Sequence, residues 1–500
     1  MDAALLACFA VVQVLYSVGL FVTVWFFFQR TEYVPDGIQP TDQLPDIILF
    51  YPVLHELEDT MRTTFTSIAA TDYPRDRLRV ISIPNHDDEQ TLASLDRLMR
   101  EFDFLEVMPV PATTDETWHT VWASWDVNDK AYWWHTGKRA GSTALPPKKT
   151  RQLIWAMYQL ERDNADALLS YIDADSLVPT DYFQTAATGM RHFDVIQNTN
   201  ITGNLLDHQA SSMFALDHIC WDATIYPHMT AGGKHPYYVL GKGLFYRFRD
   251  LVRVGGFHPW LTIEDPEVGM RLWTNGYRLG VVRSPLVEEV PATFGQGVTQ
   301  RKRWVAGFFQ SLASPLTLMG MPARKRFRAR LNFVPTLSLL LNPIGWAIGA
   351  WAIYAAVTSP EPVVTGPLLW LGVLNMVTAA ALITYALVRA WQASRPVIPR
   401  KRDRLWYLVR VNPLFMLLYW LWWTVPLAIG FWMFLRDGGL VWERTQKVDA
   451  NHELGRGRAT RSLGTAPGSA VAADRLAQAG RNAETGGPER SVETVSGPAK

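Results

Sequence analysis

The sequence has few cysteines and almost no excess of either charge. Only Cys8 and Cys220 occur among its 500 residues, and neither has the spacing of a disulfide framework or of a cysteine metal site. The 48 basic and 47 acidic residues leave a formal net charge of +1, which argues against a nucleic-acid partner. A reducing compartment is permitted, and no internal repeat is visible.

Tryptophan, in contrast, is abundant: 21 residues fall mainly into two groups. The group at residues 406–442 lies among apolar runs, as expected for the aromatic belt of a membrane protein. The group at residues 118–134 lies in a polar stretch, where a packed insertion is favoured over platforms that stack on sugar rings.

Four apolar segments are long enough to cross about 30 Å of hydrocarbon as helices. The first, residues 3–28, has no basic n-region and no small-residue cleavage site, so a retained anchor is favoured over a cleaved signal peptide. The others are residues 331–357, 366–388 and 413–435. The sequence therefore predicts a multi-pass protein of the cell (plasma) membrane.

Basic residues cluster at 324–330 and 395–410, which places both regions and the large polar domain in the cytoplasm. Both termini would then lie outside, although arginines after residue 435 oppose that orientation of the last span. The predicted units are an N-terminal transmembrane anchor (1–30), a cytosolic polar domain (31–310), an interfacial segment (311–331), three transmembrane helices (332–436) with an interfacial amphipathic segment near 400–411, and a disordered tail (437–500) poor in aromatic residues.

Within the polar domain, short apolar runs alternate with helical patterns, which predicts a mainly parallel sheet with helices on both faces. Runs at 46–53, 78–83 and 167–172 are predicted strands. Asp87 and Asp88 follow the second run, and Asp173 and Asp175 follow the third. These acids are therefore expected at the carboxyl edge of the sheet, where open α/β folds bind ligands.

Asp173 and Asp175, separated by one residue, are candidate ligands of a divalent metal. Mg²⁺ or Mn²⁺ takes carboxylate oxygens and fills its remaining positions with phosphate oxygens and water. The alternative is an acidic turn that caps the helix starting near Pro179.

Glu264 and Asp265 precede an amphipathic helical segment, where negative charge is favourable in any case. In the functional interpretation, Asp265 takes a proton from an acceptor hydroxyl. That role requires burial to raise the pKa of the carboxyl toward the working pH.

Gln300, Arg303 and Trp304 stand at i, i+3 and i+4 and so share one helix face, whereas Arg301 and Lys302 are expected to point elsewhere. Arginine can grip a diphosphate, and tryptophan offers a flat face to a sugar ring. The alternative is a helix beside the membrane that contacts lipid headgroups.

The three motifs, in this order, resemble those of the membrane-embedded inverting glycosyltransferases of family 2, a group that includes cellulose, chitin and hyaluronan synthases and ceramide glucosyltransferases. The resemblance covers about residues 45–311. It implies an α/β GT-A fold, a UDP-sugar donor, Mg²⁺ or Mn²⁺, and a single displacement that inverts the anomeric carbon.

The resemblance also implies roles for individual residues. Asp265 would be the base, with Glu264 beside it, and Asp173 and Asp175 would hold the metal. Leu54 and His55 replace a Tyr-Asn pair of the family pattern. The implied substrate-binding residues are Asp87 and Asp88 at the base and ribose, Lys149 near the uridine, Asp173 near the diphosphate, Gly241 and Gly243 in an acceptor-side loop, and Gln300, Arg303 and Trp304.

The leading hypothesis is transfer of a sugar from a nucleotide-sugar donor to a growing β-linked polysaccharide, for which four spans would need a homodimer or an export partner. The runner-up is transfer of a single sugar to a lipid acceptor. A third reading, from another class of protein, is a membrane scaffold that binds a nucleotide-sugar without turnover.

Overall fold

The computed structural model describes residues 3–35, 44–229, 233–235, 240–359, 364–436 and 449–455. Of the tail predicted at 437–500, residues 449–455 belong to the described part and lie against the polar domain. The rest of the predicted tail lies outside the described residues.

A seven-stranded mixed sheet forms the centre of the polar domain, in the order β3-β2-β1-β4-β6-β5-β7. β6 is antiparallel to β4 and β5, and the remaining neighbours are parallel. The predicted α/β fold class is confirmed, and the three predicted strands correspond to β1, β2 and β4. The strands are β1 (Ile47–Pro52), β2 (Leu78–Ile83), β3 (Leu105–Val107), β4 (Leu168–Tyr171), β5 (Val195–Thr202), β6 (Leu244–Arg247) and β7 (Leu279–Glu288).

The described helices are α1 (Ala3–Phe27), α2 (Glu58–Ala69), α3 (Glu89–Glu101), α4 (His119–Asp126), α5 (Tyr132–His135), α6 (Lys149–Asn164), α7 (Tyr182–Gly189), α8 (Gln209–Cys220), α9 (Tyr226–Met229), α10 (Phe248–Arg253), α11 (Asp265–Thr274), α12 (Phe294–Leu312), α13 (Ala323–Leu331), α14 (Val334–Leu337), α15 (Asn342–Thr358), α16 (Gly366–Ala393), α17 (Lys401–Arg410), α18 (Pro413–Trp422) and α19 (Thr424–Leu435). A five-residue π-helix, Trp221–Ile225, joins α8 to α9.

The sheet is apolar on both faces because helices cover both. Along β1, Ile48 and Phe50 belong to one hydrophobic core, and Ile47, Leu49 and Tyr51 belong to the other. This alternation follows from the two-residue repeat of a strand. All six residues of β1 are buried, as expected for a central parallel strand.

The tryptophans of the polar domain pack against one another. Trp122 stacks on Trp118 and on Trp134, with ring centroids 5.3 Å and 5.2 Å apart. Trp118 and Trp125 are fully buried in the core of the domain. The packed-insertion interpretation is therefore confirmed, and this cluster is not a surface for stacking sugars.

Three helical segments are long and apolar enough to cross a membrane: Ala3–Phe27, Gly366–Ala393 and Pro413–Leu435. A fourth candidate consists of Val334–Leu341 and Ile344–Thr358, which meet at an angle of 52°. The α16 span presents most of its large apolar side chains outward, a surface suited to lipid. The predicted four spans agree with the structure if the bent pair is one span, and the sidedness stays a prediction.

The helix α17 lies where the interfacial segment is predicted, and it is amphipathic in the required sense. Leu405, Trp406 and Val409 are exposed, whereas Arg404 and Tyr407 are buried against the rest of the protein. Such an outward apolar stripe beside basic residues suits a helix that lies in the membrane interface. Its position in a bilayer remains a prediction.

Inside the predicted bilayer, a polar contact joins α1 to α16. The Asn375 amide donates to the backbone oxygen of Gln13 at 2.9 Å and to its side-chain oxygen at 2.8 Å. The Ser17 hydroxyl donates to Asn375 Oδ1 at 2.8 Å. Because hydrocarbon offers no alternative partners, these bonds fix the register of the two helices.

Replacing Asn375 with leucine should therefore weaken the packing of α1 on α16 by about 1 kcal/mol, the order found for hydrogen bonds between membrane helices. Thermal unfolding of the detergent-solubilised protein measures this loss as a lower midpoint. Thr378→Val is the matched control, since the exposed Thr378 hydroxyl bonds only within its own helix, to Leu374 O at 2.8 Å. Equal midpoints for the two variants would contradict the proposed link.

Candidate active site

A cavity of about 300 Å³ begins at the carboxyl edge of β1 and β4 and continues to the helices on the membrane side. It brings together residues that the sequence places in three separate motifs. The predicted site residues that line it are Lys149, Asp173, Asp175, Gly241, Glu264, Asp265, Gln300, Arg303 and Trp304.

The turn that carries Asp173 and Asp175 is held rigidly behind β4. The backbone oxygen of Ala174 accepts hydrogen bonds from the Tyr51 hydroxyl at 2.6 Å and the Thr64 hydroxyl at 2.8 Å. On its other side, the backbone N–H of Glu289 donates to Asp175 Oδ2 at 2.9 Å. The two carboxylates are thus positioned by fixed partners before any ligand binds.

The carboxylates of this turn suit a divalent cation whose remaining ligands come from the substrate and from water. The described residues contain no cluster of three or more histidine, cysteine or acidic side chains that could hold a metal alone. Mg²⁺ and Mn²⁺ sites on phosphate substrates need only one or two carboxylates, because phosphate oxygens and water supply the other ligands. Asp173 and Asp175 therefore fit such a site.

Lys149, the first residue of α6, links the turn of residues 173–175, called the metal turn after its predicted role, to the loop before β6. Its ammonium donates to Asp173 Oδ1 and to the backbone oxygen of Gly241, both at 2.6 Å. Burial opposes its charge, but Asp173 and Glu264 outweigh burial and raise the pKa of Lys149. The lysine thus stays charged beside Asp173, and its place near the uridine stays a prediction.

Asp265 has the environment that a general base requires. Burial, followed by the charge of the neighbouring Glu264, raises the pKa of Asp265 to about 8, while Lys149 acts in the opposite direction. Gly241 packs directly against it, since a Cβ at Gly241 would lie 3.5 Å from Asp265 Cγ. A carboxyl with a pKa this close to neutrality can exchange a proton during a reaction.

On α12, Gln300, Arg303 and Trp304 all face the cavity, as the helical spacing predicts. Arg301 does not line the cavity, but it contacts residues that do. It is fully buried, and its Nη2 and Nε donate to Asp217 Oδ2 at 2.9 Å and 3.0 Å.

Arg301 also holds the residues beside it. Its Nη1 donates to Gln300 Oε1 at 3.1 Å, and its guanidinium lies 5.1 Å from the centre of the Trp304 ring. The Tyr419 hydroxyl, from α18, donates to the same Asp217 carboxylate. One buried charge pair thus joins α8, α12 and a membrane-side helix.

Three predicted site residues do not line the cavity. Asp88 caps α3, and its carboxylate accepts bonds from the backbone N–H of His55 at 2.7 Å and the Thr91 hydroxyl at 2.7 Å. Burial works against the charge, but these bonds prevail and lower the pKa of Asp88. Asp87 is exposed outside the cavity.

The third residue is Gly243, which serves the backbone. Its φ of +65° and a virtual Cβ only 2.6 Å from Leu286 both demand glycine. The structure therefore places Asp87 at the surface, Asp88 at a helix cap and Gly243 in a tight turn, all outside the cavity lining, and their ligand roles stay predictions.

Several polar residues of the cavity wall are absent from the predicted site, among them His218, Asp222 and Lys242. His218 Nδ1 lies 3.1 Å from Asp222 Oδ2, and the His218 ring contacts Trp304 with centroids 6.2 Å apart. Lys242 forms an ion pair with Glu288. The i, i+4 spacing of His218 and Asp222 is visible in the sequence, but the π-helix that begins at Trp221 and contains Asp222 is not.

The family model described as "Glycosyl transferase family group 2" matches residues 168–435 of the chain. This range includes the metal turn, Asp265 and α12. None of the curated proteins compared with the chain matches it.

Among solved structures, the mannosyltransferase PcManGT from Pyrobaculum calidifontis, in complex with GDP-Man and Mn²⁺, is similar, with 17% identity and a TM-score of 0.49. The likeness covers 87% of this chain and 99% of that one. S. aureus TarS 1-349 is similar with 12% identity and a TM-score of 0.34, over 81% of this chain and 95% of that one.

Replacing Arg301 with glutamine should destabilise the protein by about 3–5 kcal/mol, because Asp217 would remain buried without its cation. Denaturant unfolding in detergent measures the loss. The double variant Arg301→Gln/Asp217→Asn should lose less than the sum of its single changes, because it leaves no unpaired charge.

Arg324→Gln, on the exposed face of α13, is the control for loss of a positive charge. If Arg301→Gln unfolds at the same denaturant concentration as this control, the pair does not hold the three helices together.

Proposed function

The chain belongs to glycosyl transferase family group 2, and from this we propose that it transfers the sugar of a nucleotide diphosphate sugar to a hydroxyl of a lipid acceptor, with inversion at the anomeric carbon. The observation that carries the proposal is that one cavity holds all the groups that this reaction needs. It joins a carboxylate turn, a carboxyl with a raised pKa and the α12 residues to an apolar wall on the membrane side.

The donor's diphosphate fits the cationic side of the cavity. Lys149 and Arg303 both line it, and Lys149 remains charged. A divalent cation held by Asp173 and Asp175 would supply further positive charge to offset the charge of the diphosphate. A UDP-sugar is the first donor to test, in keeping with the resemblance in the motifs.

The chemistry assigned to the chain's own residues is a single displacement. Asp265 accepts the proton of the acceptor hydroxyl, whose oxygen forms a bond to the anomeric carbon. The bond from that carbon to the diphosphate oxygen breaks, and Arg303 and Lys149 stabilise the charge that leaves with the nucleoside diphosphate. Attack from the face opposite the leaving group inverts the configuration.

The cavity wall favours a lipid acceptor. Val305 and Phe308 of α12, Leu339 and Trp423 present apolar surface where the cavity approaches the membrane-side helices. A growing polysaccharide would need a polar path through the spans. In the described spans, the polar contact of Gln13, Ser17 and Asn375 joins α1 to α16 and lies outside the cavity. This contact therefore does not supply such a path.

The location proposed for this reaction is the cytoplasmic face of the plasma membrane. The helix α13, Ala323–Leu331, carries five basic residues and no acidic ones, and it directly precedes the bent pair of membrane-side helices. Positive charge of this kind marks the cytoplasmic side of a membrane protein.

The pH dependence of turnover should report Asp265. The carboxyl accepts a proton only when it is ionised, and its pKa is raised to about 8, so kcat/KM should rise with pH and level off above that value. Between pH 6 and pH 7 the increase should be about tenfold. Glu264→Gln removes a neighbouring negative charge and so lowers the pKa of Asp265. The rise of kcat/KM should therefore occur at lower pH in this variant. A profile that is flat from pH 6 to pH 8 would rule out Asp265 as the base.

Asp265→Asn should abolish release of nucleoside diphosphate from the cognate donor, a loss of at least about a hundredfold for removal of a general base. Purified protein is assayed with a panel of UDP- and GDP-sugars and Mn²⁺. Asp166→Asn is the matched control, because Asp166 is exposed, outside the cavity, and paired with Arg249. If the unaltered protein releases no more product than Asp265→Asn, a binding scaffold without turnover becomes the better reading.

The products separate the two kinds of acceptor. We expect membranes supplied with labelled donor to yield one glycolipid that extracts into organic solvent and carries a single added sugar of inverted configuration by NMR. A ladder of oligosaccharides would instead support the polysaccharide reading and overturn the lipid acceptor.

A further inference from the structure

The short segment 449–455 follows the last membrane-side helix and packs against the back of the metal turn. The backbone N–H of Ala450 donates to Glu289 Oε2 at 3.0 Å, and the Thr63 hydroxyl donates to Asp449 Oδ2 at 3.2 Å. Leu454 packs against the main hydrophobic core. We call residues 449–455 the clasp.

Asn451 is the centre of the clasp. It is 3% exposed and sits against Gly203, where a virtual Cβ would lie only 1.9 Å from Asn451 Oδ1. Any larger residue at position 203 would therefore collide with it. The missing side chain of Gly203 leaves a socket that Asn451 fills, so this contact requires a residue at position 451 that fits the socket.

One hydrogen-bonded path connects the clasp to the metal turn. Ala450 holds the side chain of Glu289, and the backbone N–H of Glu289 donates to Asp175 Oδ2 at 2.9 Å. Leu177 and Val287 exchange backbone hydrogen bonds of 2.8 Å and 3.0 Å in the same place. The end of β7 and the metal turn therefore form one unit, against which the clasp is docked.

We propose that the clasp positions Asp175 for the divalent cation and diphosphate of the donor. By fixing the buried Glu289 side chain, it keeps the Glu289 N–H on Asp175 Oδ2, so the carboxylate stays oriented in the cavity wall. Asn451 and Ala450 are positioning residues, because they act on the site through Glu289. The inference rests on the donor site proposed above and adds the chain after the last span to its construction.

Docking itself is tested by a cross-link. A Cβ on Gly455 would lie 3.0 Å from Thr63 Cγ2, close enough for a disulfide between cysteines at the two positions. Thr63→Cys/Gly455→Cys, in a Cys8→Ser background, should close an intramolecular disulfide under mild oxidation. If the two thiols stay free while the protein is folded, the clasp is not docked and the proposal fails.

The effect on the site is tested with Asn451→Trp, which is too large for the socket and changes only the clasp. Calorimetric titration of full-length protein with UDP at a series of Mn²⁺ concentrations gives the Mn²⁺ concentration for half-maximal UDP binding. That concentration should rise about tenfold, as for loss of partners that orient a metal ligand. Glu453→Trp introduces the same side chain at the exposed clasp position and should leave it unchanged.

The outcomes separate this inference from the proposed function. If the unaltered protein binds neither UDP nor GDP with Mn²⁺, the donor site itself is wrong. If it binds and Asn451→Trp has the same Mn²⁺ dependence, only the clasp is overturned. Should Asn451→Trp fail to fold, Asn451→Ala empties the socket instead; the Mn²⁺ requirement should again rise, and an unchanged value would refute the inference.

Discussion

The buried pair of Arg301 and Asp217 is the interaction on which the geometry of the cavity depends. An arginine with no exposed surface pays a large desolvation cost, which only a fixed carboxylate and further hydrogen bonds can offset. Here the carboxylate belongs to α8, and Tyr419 of α18 supplies the additional bond. The helices α8, α12 and α18 therefore cannot move apart without leaving a charge unpaired.

This constraint explains why the α12 residues reach the same space as the carboxylates of the sheet edge. Trp304 lies beside Arg301 on α12, with its ring centre 5.1 Å from the guanidinium, whereas Arg303 lies on a different face from Arg301. Anchoring Arg301 therefore holds Trp304 directly and fixes the direction in which Arg303 points. At the sheet edge, Lys149 has a similar structural role, because it joins the metal turn to the Gly241 loop by hydrogen bonds. Between these two anchors Asp265 is buried, and its pKa is raised by that burial and by the negative charge of Glu264 beside it.

Much of this arrangement could be predicted from the sequence. Apolar runs followed by acidic residues predict strands whose carboxyl ends lie at the ligand-binding edge of the sheet. The 3.6-residue repeat of a helix predicts that Gln300, Arg303 and Trp304 share one face. The role of Arg301 could not be read, since Asp217 lies 84 residues away in the chain. The capping bond of Asp88 could not be predicted, because a helix cap and a ligand-binding acid have the same local sequence. The antiparallel β6 and the docked residues 449–455 depend on tertiary contacts that composition does not encode.

The helices on the membrane side make one end of the cavity apolar, whereas the other end is polar. The donor end is polar and carries fixed charge, whereas the opposite wall is formed by Phe308, Leu339 and Trp423. In the proposed reaction, an acceptor that lies along this gradient presents a hydroxyl to Asp265 and keeps an apolar body against the far wall, which is the structure of an amphiphile. A soluble acceptor would leave that wall in contact with water, and burying apolar surface there favours a lipid by roughly 25 cal/mol for each Å² covered. The pair of Arg301 and Asp217, which fixes α12, thus also sets how far the hydroxyl of an amphiphile can extend into the cavity.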